Sequence, residues 1–209
     1  MNVLIAKNLG IRRDDTLIFR EIGFSLKTGE SLLIQGANGS GKTTLLRLLA
    51  GLKKPDLGNI FWNQSSIYNN LSQYMKNIAF LGHSDALKPY LTLKENLNLF
   101  RQIHKTNITP ALQALGIFPL AEIPVRLLSS GQKRRAALAR LLLAPAKIWL
   151  LDEFSIGLDK ETLIALGIIF ETFKKEGGII VASTHVTLPL KFNHTLRLQH
   201  CALTSHSRL

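Results

Sequence analysis

In the stretch SLLIQGANGSGKTTLLRLLAGL, Ser31 to Leu52, an apolar run gives way to glycine-rich text and then to leucines at helical spacing. The first five residues form a continuous apolar segment of the kind buried on both faces of a parallel sheet. GANGSGKT, Gly36 to Thr43, satisfies G-x-x-x-x-G-K-[ST] between a predicted strand and a predicted helix, the context that motif requires. Its glycines let backbone amides wrap phosphate oxygens, Lys42 adds a cation at the β and γ phosphates, and Thr43 offers a hydroxyl to Mg2+. Gly36, Ala37, Asn38, Gly39, Ser40, Gly41, Lys42, Thr43 and Thr44 are therefore the candidate nucleotide-binding residues.

Two later segments repeat the pattern of an apolar strand ending abruptly in polar text. IWLL ends in Asp152–Glu153, and IIVAS ends in Thr184–His185. In an open parallel α/β sheet, ligands bind beyond the carboxyl ends of the strands, so all three polar clusters are expected at one edge. An acid at the tip of a buried strand is costly unless it is paired, and Asp152 suits Mg2+ held through its water shell. Glu153 then faces the γ-phosphate as the base that polarises the attacking water, and His185 is a candidate to hold that phosphate or the water.

Composition sets the limits around these motifs. A chain of 209 residues with 46% apolar content supports one domain, spanning 1–209, with a substantial core. No apolar stretch reaches the roughly 18 residues of a membrane span, and the N-terminus MNVLIAKNLG lacks the pattern of an export signal. A cytoplasmic location is expected. The single cysteine, Cys201, allows no internal disulfide and reads as a free thiol. The net charge of +12 and pI near 10.1 call for anionic partners, among which nucleic acid, an anionic membrane surface and nucleotide phosphates all qualify. The basic residues are dispersed with no RNA-recognition or zinc-finger signature, so charge alone does not choose among these partners.

The remaining text gives the architecture. VLIA, TLIF and IGFSL near the start, and GNIFWN after KPDLG, read as strands, with the N-terminal ones antiparallel. From Leu93 the spacing becomes helical: LTLKENLNLFRQIH, then TPALQALGIF with Thr109 as cap and Pro110 at the first position, then a helix after Ser129. This predicts a helical subdomain over about 84–145 inserted in the nucleotide-binding core. A further helix spans Asp159 to Glu176 with a Leu163, Leu166, Phe170 and Phe173 stripe, and HTLRLQHC adds an edge strand. His194, His200 and His206 are spaced too widely for a compact metal-ligand set. The expected fold class is thus α/β: a P-loop NTPase core with a mostly parallel sheet, an N-terminal antiparallel β subdomain and an inserted helical subdomain.

LSSGQKRR, Leu128 to Arg135, raises an electrostatic question. Ser129 or Ser130 is the cap of the following helix, and Lys133, Arg134 and Arg135 fall in its first turn, where the positive end of the helix dipole disfavours them. The order GxxxxGKT, LSSGQ, IWLLDE, then LD and TH resembles the ABC transporter ATPases over essentially the entire chain. That resemblance implies a head-to-tail pair in which a second copy of the chain closes over each ATP. Ser129, Ser130, Gly131 and Gln132 would meet the γ-phosphate bound to the partner, while the three cations supply long-range attraction and surface contacts. Asp159 then lies in a loop at the dimer interface. Within that family, IRRDDTLIFREIGFSL, GH before LKPYLTLKENL, and IPVRLLSSGQKRRAALARL are similar to the ATP-binding subunits of cytochrome c maturation (heme exporter) systems. This implies ATP and Mg2+ as ligands, a separate membrane-spanning permease subunit, and a peripheral position on the cytoplasmic face of the bacterial inner membrane.

Four positions depart from the ABC pattern. His83, followed by Ser84, stands where a glutamine usually serves Mg2+ and the membrane subunit. Arg12 and Arg13 stand where an aromatic residue stacks on adenine, and a guanidinium plane offers an alternative cover. Ser130 replaces a glycine, and Phe154 replaces a proline. The rival readings are an ABC transporter ATPase for another substrate, a soluble ABC-type ATPase acting on nucleic acid, a P-loop kinase or GTPase, and a non-enzymatic module. The chain lacks the second cassette or long coiled insert expected of the nucleic-acid type, so no nucleic acid partner is expected, and it lacks the N-K-x-D motif of a GTPase. Intact Lys42, Asp152 and Glu153 argue against a module without activity.

Overall fold

The computed structural model describes residues 2–14, 16–184 and 191–199. A long hairpin, β1 (Val3–Arg13) and β2 (Thr16–Lys27), is followed by β3 (Ser31–Gln35), α1 (Lys42–Leu49), β4 (Leu57–Trp62), β5 (Ser65–Ser66), α2 (Leu71–Met75) and β6 (Ile78–Leu81). The helices α3 (Leu93–His104), α4 (Thr109–Ala114) and α5 (Ser130–Leu143) come next, then β7 (Ile148–Leu151), α6 (Lys160–Lys175), β8 (Ile179–Ser183) and β9 (His194–Arg197). Among the described residues the strands form two sheets, one antiparallel in the order β2-β1-β4-β5 and one parallel in the order β6-β7-β8-β3-β9.

The continuous apolar runs follow from the position of the parallel sheet between two cores. Alternate side chains of a strand point to opposite faces. Trp149, Leu151, Ile180 and Ala182 enter a core shared with α3, α4, α5 and α6, whereas Ile148, Leu150, Ile179 and Val181 enter one shared with α1 and the antiparallel sheet. Both faces of β7 and β8 are therefore dry, and each such aliphatic side chain contributes about 1.5–3 kcal/mol by leaving water. The sheet edge at the strands' carboxyl ends is where the polar clusters emerge.

Several local expectations are corrected. TLIF and IGFSL lie on the single strand β2; Glu21 between them takes φ +58, and irregularities in the β1–β2 register break the apolar periodicity. Strand β6, IAFL, was not read from the sequence: with only four residues it carries too little periodicity. Thr109 is not the cap of α4. The helix begins at Thr109, because the Asn107 side chain accepts from its amide at 2.9 Å and starts the turn earlier.

At α5 the choice between two serines is settled by a capping box. Ser129 Oγ accepts from Gln132 N at 3.2 Å, and Gln132 Oε1 accepts from Ser129 N at 2.9 Å. Ser130 is then the first helical residue, so Lys133 is the fourth and the two arginines lie beyond the first turn. The dipole penalty expected for them is correspondingly small, since it fades within that turn.

Candidate active site

The loop between β3 and α1 folds around its own lysine. Lys42 is buried; its Nζ donates to Gly36 O at 2.9 Å and Ala37 O at 3.3 Å, and lies 3.4 Å from Glu153 Oε1. Gly41 takes φ +97, and a Cβ built on it would meet Ile18 Cγ2 at 2.6 Å, so the loop packs against β2 only because no side chain stands there. Helix α1 starts at this glycine with no side-chain cap and no acidic residue in its first turn. Its first N–H groups and positive dipole end suit an anion. Ser40 Oγ is buried and has no hydrogen-bond partner among the described residues.

The tips of β7 and β8 are joined to this loop through hydroxyls. Thr43 Oγ1 donates to Asp152 Oδ2 at 2.8 Å, and Ser183 Oγ donates to Asp152 Oδ1 at 2.9 Å. Both oxygens of this fully buried carboxylate are thereby oriented. Ser183 Oγ also accepts from the Glu153 amide at 3.0 Å, and Ser155 and Thr184 share a hydrogen bond of 2.8 Å between their hydroxyls. Glu153 itself takes φ +47, a left-handed conformation that a non-glycine residue holds only where its surroundings enforce it. Ser183 was visible in IIVAS but received no role from the sequence; the signal was a hydroxyl at the end of an otherwise apolar strand.

Arg134 corrects the reading of the three cations as agents of long-range attraction. It is 4% exposed and turned inward, beneath the loop that carries Glu153. Its Nη2 donates to Asp152 O at 2.7 Å and Glu153 O at 2.9 Å, and its Nε to Phe154 O at 3.2 Å. Its Nη1 donates to Gly82 O at 3.1 Å and Asp85 Oδ1 at 3.0 Å. Arg135, half-buried, reaches Leu115 O at 3.3 Å. Burial lowers the Arg140 guanidinium from its ordinary range, with the nearby Asp85 carboxylate opposing and Arg134 reinforcing that shift.

A cleft of about 740 Å³ opens beside these groups, lined by Asn38, Gly39, Gly41, Lys42, Thr43, Thr44, His83 and Glu153. The structure thus brings His83 to the same cleft as the phosphate loop. Arg13 lines the cleft with Thr16 and Ile18, and Arg12, adjacent on the strand, does not; the Arg12 amide instead donates to Asp56 Oδ2 at 2.6 Å. Arg47 and Lys53 also face this cleft, additional cations the sequence did not single out. His185, His200, Cys201 and His206 lie outside the described residues, and His194 Nε2 on β9 is 3.5 Å from Glu30 Oε2.

Ser129 and Ser130 are exposed at the start of α5, with Gly131 and Gln132 half-buried behind them. The backbone is tightly packed at Gly131, where a Cβ would meet Gly157 O at 2.5 Å. Phe154 is fully buried against Phe170, ring centroids 5.4 Å apart, and belongs to the core. Asp159 caps α6, accepting from Thr162 N at 2.7 Å, and that hydrogen bonding lowers its carboxyl below the ordinary aspartate range.

A family model described as ABC transporter matches residues 19–155, well over half of the chain. The chain belongs to the ABC transporter family. As an ABC ATPase it hydrolyses ATP, and the cluster of Lys42, Thr43, Asp152 and Glu153 lies within the matched span. Relatives include the cytochrome c biogenesis ATP-binding export proteins CcmA of Gluconobacter oxydans, 41% identical over 90% of this chain and 83% of that one, and of Paramagnetospirillum magneticum, 40% identical over 95% and 94%. Among solved structures, a putative ABC transporter ATP-binding protein from Pyrococcus furiosus superposes with a TM-score of 0.82 at 26% identity, covering 94% of this ABC ATPase and 97% of that chain. Among the described residues, no helix of this ABC ATPase is long and apolar enough to cross a membrane.

Proposed function

We propose that this ABC ATPase powers a membrane complex in cytochrome c biogenesis, where its ATP hydrolysis serves heme delivery or export through a separate permease subunit. The observation that carries the reading is the likeness, about 40% identity across nearly the full length, to proteins named for that pathway. A place on the cytoplasmic face of the inner membrane and pairing with a second copy follow from the same reading.

The chemistry rests on this chain's own residues. The first amides of α1 and Lys42 Nζ grip the phosphates of ATP; Lys42 turns from Gly36 O and Ala37 O to do so. The donor set fits Mg2+, because Thr43 Oγ1 and Asp152 Oδ2 are hard oxygens already 2.8 Å apart at the loop. Bound there, Mg2+ offsets charge on the β and γ phosphates. Glu153 orients and takes a proton from the attacking water, its backbone fixed by Ser183 and Arg134. His83 reaches the same cleft from the β6 side, and the exposed Ser129–Ser130 turn closes the partner's site. Arg13 covers the base.

The test replaces the chromosomal copy by Glu153→Gln in the native host and stains membranes for covalently bound heme. Loss of c-type cytochromes, with the variant present at its normal level by immunoblot, is expected. Undiminished c-type cytochromes would overturn the pathway assignment.

A further inference from the structure

We infer that Arg134 is a positioning residue that makes the set of Glu153 depend on the loop at 82–86, a role that rests on the reading of Glu153 as the base. An arginine has five N–H donors in a rigid planar fork. All five have acceptors here: three consecutive carbonyls, Asp152 O, Glu153 O and Phe154 O, from the loop after β7, and Gly82 O and Asp85 Oδ1 from the loop after β6. Neither loop shifts relative to the other without breaking one half of the fork.

Two further observations give the link direction. The loop at 82–86 is held a second time by α5, because Arg140 donates to Asp85 O and to Ala86 O, the latter at 3.3 Å, while its guanidinium lies 5.9 Å from the Phe100 ring centroid. Asp85 thus receives both arginines, one at its carboxylate and one at its carbonyl. At the other end, the left-handed Glu153 is pinned on both sides of its Cα, by Ser183 Oγ at the amide and Arg134 at the carbonyl. Removing the Arg134 bonds releases one of the restraints that hold this unfavourable conformation. His83, exposed and facing the cleft, sits inside the loop at the far end of the fork. Whatever displaces 82–86 from outside is therefore transmitted to the base through the Arg134 fork.

The test is Arg134→Lys in the full chain, which keeps the charge and loses the fork. Hydrogen exchange followed by mass spectrometry is expected to rise about tenfold at 82–86 and at 152–156 together, with 36–44 unchanged. Turnover is expected to fall about 10- to 100-fold while the dissociation constant of a fluorescent ATP analogue changes less than about threefold. Should Arg134→Lys not fold, Asp85→Asn, which weakens a single arm of the fork, is expected to show the same paired rise at smaller amplitude. Unchanged exchange at 152–156, or a rise at 36–44 as large as that in the two loops, would overturn the coupling. Glu153→Gln separates the two claims: turnover by that variant would remove Glu153 as base and leave the paired exchange response standing.

Discussion

Replacing Lys42 by Met measures what the buried contact with Glu153 contributes to the nucleotide-free fold. At 3.4 Å and an effective dielectric of about 20, the attraction amounts to about 5 kcal/mol, opposed by several kcal/mol of desolvation per ion. The two side chains are 7% and 11% exposed, so solvent screens the pair little. Lys42→Met leaves the buried Glu153 carboxylate without the lysine and is expected to cost about 3 kcal/mol. Glu153→Gln is milder, about 1 kcal/mol, because Lys42 Nζ keeps its bonds to Gly36 O and Ala37 O. The double variant is expected to cost about 2 kcal/mol, less than the two single losses together. Urea unfolding of the four proteins, read at the midpoint with the slope held as a check on compactness, gives the coupling directly. Additivity within about 0.5 kcal/mol would show that the contact contributes nothing and refute the electrostatic reasoning.

Two other substitutions test the frame around the site. Gly131→Ala puts a methyl where Gly157 O lies 2.5 Å from the ideal Cβ position; thermal melts are expected to show a loss of about 1–3 kcal/mol, and Ser130→Gly, at the neighbouring exposed residue, a much smaller one. Asp159→Ala is expected to cost about 1 kcal/mol and Asp159→Asn to retain most of the cap. Because the folded-state pKa of Asp159 lies below its ordinary value of 3.8, its ionised form stabilises the fold above that value. The contribution is lost as pH falls through the lower folded-state value, so the difference in melting temperature between wild type and Asp159→Asn should shrink on acidification below about pH 4.

What was legible in the sequence was short-range or strongly patterned. The phosphate loop, the acid pair after IWLL and the two candidate capping serines are contiguous texts whose chemistry is local, and the buried strands announced themselves because both faces of the sheet are covered. Arg134 was misread for the opposite reason. Four of its five acceptors are backbone carbonyls between 18 and 52 residues away, and a carbonyl carries no mark of its residue type. From the sequence it is one of three adjacent cations, and only the inward turn of α5 separates it from Lys133 and Arg135. The pair Arg12 and Arg13 shows the limit of strand text: alternation sends neighbours to opposite sides, but the sequence does not say which one meets the cleft. Phe154, where a proline was expected, became core because its ring finds Phe170 on α6, a partner fixed by tertiary packing.

The most direct measurement is the sedimentation mass of Glu153→Gln with ATP and Mg2+, compared with the same variant carrying Ser129→Arg. A site built from the phosphate loop of one copy and the exposed serine turn of another predicts that ATP doubles the mass of the first and leaves the second single. ATP bound without any doubling, or doubling that survives Ser129→Arg, would contradict it.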